Sequence, residues 1–156
     1  MKQGNWIIAA AVGVSLGAAC VQAQVPAAAP TPQQQAQQML EFYKAHYVKH
    51  EFHIATRDGV KLYAQVYTPI AGKFADKGPY PILMTRTPYS CGSYGNAVVQ
   101  PRVTSDMEML KSGYILVCED VRGRWDSEGN WLEMTPPKDG KGIDESTDMY
   151  DTVEWL

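Results

Sequence analysis

The sequence predicts an α/β fold in which an antiparallel hairpin leads into a parallel sheet. Three observations carry this expectation. Two segments of period-two alternation flank an Asp58-Gly59 pair. Two short apolar runs, at residues 81–86 and 114–119, are separated by a stretch of helical spacing. Each run is followed by a polar, glycine-bearing loop. In open α/β sheets, the loops beyond the carboxyl ends of strands are where ligands bind.

The elements follow in chain order. Residues 24–38 (QVPAAAPTPQQQAQQ) are Pro-, Ala- and Gln-rich, a composition that builds no packed core, and read as a disordered linker. Residues 39–47 are amphipathic and read as a short helical segment that docks on the domain. Residues 48–56 alternate, with Val48, Phe52 and Ile54 facing one way. Residues 60–68 alternate as well: Val60, Leu62, Ala64 and Val66 on one side, Lys61, Tyr63, Gln65 and Tyr67 on the other. Arg57-Asp58-Gly59 between them supplies the positive φ of a tight turn, and Pro69 ends the hairpin.

Residues 70–78 read as a loop. The third strand spans residues 81–86, and its Ile82-Leu83-Met84 run suits burial on both faces. Residues 101–112 read as a helix, with Val103, Met107 and Leu110 at helical spacing and Gly113 just past its end. The fourth strand spans residues 114–119. The strand-helix-strand unit requires parallel pairing through a crossover. Residues 144–156 begin another helix. Asp144, Glu145 and Asp148 favour its N-terminal dipole, and Met149, Val153 and Leu156 are the expected buried stripe.

Bulk properties exclude some functions. A chain of 156 residues fits one domain. Hydrophobic content of 45% and charged content of 20% suit a soluble globular protein. The net charge is -3, and the absence of a basic patch speaks against nucleic acid as a partner.

Lys2, an apolar stretch at residues 7–21 and the small residues of Val21-Gln22-Ala23 form a secretory signal pattern, with cleavage expected after Ala23. The apolar run is roughly 15 residues, short of the ~20 that span a bilayer, so a membrane anchor fits less well. Acylation at Cys20 also fits less well, because Gly17 stands where a large aliphatic residue is wanted. The expected organisation is residues 1–23 as signal peptide, 24–45 as linker and docking segment, and 46–156 as the folded domain. The mature protein is then secreted or periplasmic, with no membrane association. An oxidising compartment permits a Cys91–Cys118 bridge, but the spacing does not demand one.

Three blocks carry a family resemblance: HIATRDGVKLYAQVYTP at 53–69, PILMTRTPYS at 81–90, and EDVRGRWDSEG at 119–129 followed by DESTDMYDTVEWL at 144–156. In this order and spacing they resemble the opening of the α-amino-acid ester hydrolases. The wider group includes cocaine-esterase-like hydrolases and Xaa-Pro dipeptidyl peptidases. The resemblance covers about residues 46–156. It implies the N-terminal part of an α/β-hydrolase core, truncated before the nucleophile elbow. Such cores carry a G-x-S-x-G elbow, with the triad in the order Ser, Asp, His.

The chain lacks that set. Ser127 has Trp125 two places before it, Ser93 has Cys91, and the GSYG at 92–95 falls in a loop. His46, His50 and His53 all precede the core. The triad is therefore expected beyond this sequence, and the chain alone is expected to be inactive.

One site residue is implied by resemblance. Tyr89, in an R-T-P-Y context after the third strand, matches the family tyrosine whose hydroxyl helps form the oxyanion hole. Asp120 and Arg122 end the fourth strand and read as a structural ion pair that pins the following loop. Gly123 and Gly129 serve turns. The three histidines miss H-E-x-x-H by one residue and do not read as a metal site.

The expected function is cleavage or transfer of α-amino-acyl groups of esters or amides through an acyl-enzyme, with no metal or organic cofactor. Aminoacyl esters, β-lactams and peptides are the substrate candidates. An Xaa-Pro dipeptidyl peptidase and a non-enzymatic binding module are the alternatives. Family members often oligomerise, and these residues leave that open.

Overall fold

A computed structural model describes residues 29–75, 78–99, 103–132 and 142–156. The signal pattern, its cleavage point and Cys20 lie outside these residues. The element order is α1 (Pro32–His46), β1 (Tyr47–Ala55), β2 (Lys61–Pro69), β3 (Ile82–Thr87), α2 (Met107–Lys111), β4 (Ile115–Asp120) and α3 (Glu145–Trp155). The four strands form one mixed sheet in the order β1-β2-β4-β3. β1 and β2 pair antiparallel from Tyr47↔Pro69 to Ala55↔Lys61, as the alternation predicts. β2 also pairs antiparallel with β4, and β3 pairs parallel with β4 from Ile82↔Ile115 to Thr87↔Asp120.

The hairpin turn forms where expected. Gly59 has φ +84°, and its N–H donates to the Thr56 carbonyl at 2.8 Å. A side chain there would sit in the disfavoured left-handed region.

Low-complexity sequence does not prevent the first helix. Of the segment 24–38 expected to be disordered, residues 24–28 lie outside the described residues and residues 32–38 form the first half of α1. Thr31 caps it and Pro32 stands in its first turn; the Gln34 amide donates back to Thr31 Oγ1 while Gln34 Oε1 accepts from the Thr31 N–H at 2.8 Å. Glutamine and alanine are also good helix formers. The far end of α1 docks through Tyr43, which is fully buried against Tyr47 and Tyr67 at centroid distances of 5.4 and 5.5 Å.

The two faces of the sheet are built differently. On one face, Tyr43, Tyr47, Tyr67, Leu110 and Leu116 form the main core cluster, beneath α1 and α2. Next to it, Tyr63 packs with Cys91 and Cys118. The Lys61/Tyr63/Gln65/Tyr67 side of β2 is buried except at Lys61. Its polar atoms find partners: Gln65 Nε2 donates to Tyr63 Oη at 3.0 Å, and Tyr67 Oη donates to Gln65 Oε1 at 3.3 Å.

On the other face, α3 packs against β1; Ile54 is 1% exposed, while Val48 and Phe52 on the same side remain 44% and 36% exposed. β3 lies at the edge of the described sheet, and Ile82 is 44% exposed rather than buried on both faces. The Ile82 side chain lines an open groove on the α3 face of the sheet, with Phe52, Ile115 and Trp155.

Two helices depart from their sequence patterns. α2 begins only at Met107, because Asp106 takes the N-cap and its carboxylate accepts from the Glu108 and Met109 amides. Val103 precedes the helix yet still packs against the core. α3 buries Asp148 and Thr152, whereas Met149 and Val153 are 38% and 53% exposed. Its inward stripe is polar because the strand ends it meets carry charges.

Cys91 and Cys118 form a disulfide with a Cα–Cα distance of 5.6 Å and a sequence separation of 27 residues. It joins the loop after β3 to the middle of β4. A closed loop of this size restricts the unfolded chain, and reduction should cost about 3.5 kcal/mol of stability. Denaturant unfolding with and without reductant measures this. An unchanged midpoint would contradict the bridge.

Candidate active-site edge at the carboxyl ends of β3 and β4

The apolar run of β4 ends in two carboxylates, Glu119 and Asp120, each with no exposed surface. Successive strand residues point to opposite faces, so the two serve different elements. Glu119 faces α3. Its Oε1 accepts from Arg86 Nε on β3 at 2.6 Å, and its Oε2 accepts from Thr152 Oγ1 on α3. Arg86 continues outward to the Glu145 carboxylate at 2.9 Å and the Glu145 carbonyl at 3.0 Å. Burial pushes the Glu119 carboxyl above its ordinary range; Arg86 and Thr152 offset part of that.

Asp120 faces the loop that carries Tyr89. Its Oδ1 accepts from the Cys91 N–H at 2.8 Å, and its Oδ2 accepts from Tyr94 Oη at 2.9 Å. Burial raises its carboxyl as well, against the pull of these two donors. Tyr94 is pushed up to about 12 by burial and by its bond to Asp120. The Asp120 carbonyl accepts from Ser127 Oγ, which in turn accepts from the Tyr63 N–H at 2.8 Å.

Asp120 and Arg122 are therefore structural, but they do not form the pair that the sequence suggests. Arg122 instead joins the hairpin turn to α3. It donates to Asp58 at 2.9 and 3.1 Å and to Asp148 at 2.9 and 2.6 Å. Gly123, at φ +71°, lets the chain double back: its N–H donates to the Glu128 carbonyl at 2.9 Å, and a Cβ would collide with the backbone of Trp131.

A second anchor holds the Tyr89 loop from β1. Lys49 Nζ, almost fully buried, donates to the carbonyls of Ser93, Gly95 and Val98 at 2.7, 3.1 and 3.0 Å. It also pairs with Glu51 at 2.7 Å, and Glu51 accepts from the Gly95 N–H at 2.7 Å. Burial pushes the Glu51 carboxyl up, but Lys49, Tyr63 and the Gly95 amide together outweigh it and hold it low. Within this frame Tyr89 stands at the carboxyl end of β3 with 78% of its surface exposed, and its N–H donates to Thr87 Oγ1 at 3.0 Å.

The other candidates disperse. Ser127 is buried in backbone bonding, and the Ser93 carbonyl accepts from Lys49 and Gln65. His46 Nδ1 lies 2.9 Å from the Phe42 carbonyl, His50 stacks near Phe52, and His53 stands 3.2 Å from Asp126. Sequence reasoning missed Glu119, Arg86 and Thr152. The available signal was a polar i, i+4 pair, Asp148 and Thr152, facing a strand that ends in acids.

The family model described as X-Pro dipeptidyl-peptidase (S15 family) matches residues 58–156. The chain belongs to this family. The S15 chain is 32% identical over 103 residues to cocaine esterase from Rhodococcus sp. (strain MB1 Bresler), a match covering 66% of this chain and 15% of the esterase. It superposes on an alpha-amino acid ester hydrolase with a TM-score of 0.57 at 34% identity, over 71% of this chain and 19% of that one. An aminopeptidase from a marine sediment archaeon, Thaumarchaeota archaeon, gives a TM-score of 0.52 at 29% identity, over 86% of this chain and 21% of that one. The S15 chain thus spans about a fifth or less of each relative. Its mixed sheet is the N-terminal part of an α/β-hydrolase core.

Arg122 gives this region a pH signature. Its bonds, with that from Thr56, lower Asp58 from 3.8 to about 2. A depressed folded-state value means stability that is present above pH 3.8 and lost as pH falls toward about 2. Arg122→Met should lower stability at neutral pH and flatten the acid limb of the stability curve. Denaturant titrations from pH 2 to 7 check this, and parallel acid limbs would contradict it.

Proposed function

We propose that this chain is the opening part of a secreted serine hydrolase that cleaves or transfers α-amino-acyl groups of esters or amides, with Tyr89 donating into the oxyanion hole. The observation that carries the reading is Tyr89 itself: an exposed phenol on a loop anchored on three sides, at the carboxyl end of a parallel strand. A donor fixed before the reaction stabilises the developing oxyanion without reorganising. Membership of the S15 family and the likeness to an alpha-amino acid ester hydrolase support the reaction class.

In this proposal the serine, histidine and acid of the triad belong to sequence outside this chain. The serine attacks the acyl carbon, and the carbonyl oxygen becomes an oxyanion held by the Tyr89 O–H. The histidine takes the serine proton and passes it to the leaving group. Water or an amine then attacks the acyl carbon; the histidine takes its proton and returns it to the serine oxygen as the acyl–serine bond breaks. No metal or organic cofactor takes part, and the substrate is an aminoacyl ester, a β-lactam or a peptide. Residues 1–23 act as the signal peptide; the Cys91–Cys118 disulfide fits an oxidising destination, the periplasm or outside. A second reading, Xaa-Pro dipeptidyl peptidase, is favoured by the description of the family model.

The test is the protein translated from the full reading frame containing these residues. It should hydrolyse α-aminoacyl esters faster than Xaa-Pro anilides, while residues 1–156 expressed alone should turn over neither. Tyr89→Phe should lower kcat by roughly 100-fold, the loss expected for one oxyanion donor. An unchanged kcat would remove Tyr89 from the mechanism. Preference for Xaa-Pro anilides would select the second reading.

A further inference from the structure

Among the described residues, two non-glycine residues have positive φ: Ser90 at 81° and Trp125 at 53°. That backbone region is unfavourable for side chains with a Cβ, and it persists only where surrounding contacts impose it. The two residues lie on different loops, yet both adjoin Tyr89. Ser90 follows it directly. Trp125 donates its indole N–H to the carbonyl of Pro88, the residue before it, at 2.9 Å.

The peptide plane between Pro88 and Tyr89 is held at both of its polar atoms. Its oxygen accepts from Trp125 Nε1 and also from Arg124 Nε at 3.0 Å. Its nitrogen, that of Tyr89, donates to Thr87 Oγ1 at 3.0 Å. On the far side of Tyr89, the Cys91 N–H is fixed by Asp120. Arg124 is steadied in turn by the Trp131 ring, 5.4 Å from its guanidinium carbon. Trp125 is 60% exposed, so core packing is not what holds it in this conformation.

We propose that Trp125 is a positioning residue for Tyr89. Its indole N–H, together with Arg124, fixes the peptide plane from which Tyr89 projects, and so sets where the phenol points. The cost of the left-handed backbone at Trp125 is accepted because that conformation delivers the indole to Pro88. This rests on the reading of Tyr89 as oxyanion donor, but the clamp can be tested without turnover.

The first measurement is 15N relaxation on the chain itself. Wild type should show a rigid Tyr89 amide, with an order parameter of about 0.85, and Trp125→Phe should bring it toward about 0.6. Trp155→Phe, remote from the loop, should leave it unchanged. An unaltered Tyr89 amide in Trp125→Phe overturns the clamp.

The second measurement separates positioning from bulk stability. Trp125→Gly relieves the backbone conformation, so Tm should hold or rise. In the full-length hydrolase the same change should lower kcat by about 10- to 100-fold with little change in KM, the penalty of a misplaced group. A fall in Tm parallel to kcat would make Trp125 merely structural and overturn the proposal. Inactive full-length wild type, or active Tyr89→Phe, would sink the oxyanion reading instead, and the relaxation result alone would then decide whether Trp125 holds Tyr89.

Discussion

Two adjacent carboxylates, Glu119 and Asp120, are sealed from solvent at the end of one strand. Burying a carboxylate is costly unless donors meet it, and removing one partner of a buried pair is more destabilising still. The local architecture follows from this requirement. Because a strand alternates, each carboxylate must find donors on a different face. Glu119 draws Arg86 from β3 and Thr152 from α3; Asp120 draws the Cys91 amide and the Tyr94 hydroxyl from the loop after β3. One pair of neighbouring residues thereby fixes both a helix and a candidate catalytic loop.

Charge continues outward from this centre in a connected pattern. Arg86 links Glu119 to Glu145 at the start of α3, and Arg122 links Asp148 to Asp58 in the hairpin turn. Arg57 reaches Asp151 one turn further along the helix at 2.8 Å. α3 is thus held by its charges and by Thr152 more than by an apolar stripe. The remainder of that sheet face, including Phe52 and Ile82, stays partly exposed. On the opposite face, tyrosines, Leu110, Leu116 and the disulfide make a denser body. The Tyr89 loop rests on this denser side, which suits a donor that has to be in place before the reaction.

Local chemistry made part of the fold legible. Alternation and Asp58-Gly59 located the hairpin, and the apolar runs located β3 and β4 within a residue. Composition misled at α1, because a Gln/Ala/Pro segment is low in complexity and yet capped by Thr31 and rich in helix formers. Periodicity misled at α3, where Met149 and Val153 form a plausible stripe while the burial decision belongs to Glu119 across the interface. The Asp120–Arg122 pair failed for a related reason: neighbours in sequence at a strand end diverge in space, and each meets partners far along the chain. The disulfide was open in sequence because it depends on where the loop after β3 folds back. Trp125 carried no sequence signal, since its role rests on one backbone conformation and one hydrogen bond.

The most direct measurement of this account is amide hydrogen exchange, peptide by peptide, in Glu119→Gln and Asp120→Asn. Separate anchoring predicts separate effects: Glu119→Gln should release protection in residues 145–155 and spare residues 88–95, and Asp120→Asn should do the reverse. Loss of protection in both segments from either change, or in neither segment from both, would contradict the division of labour between the two carboxylates.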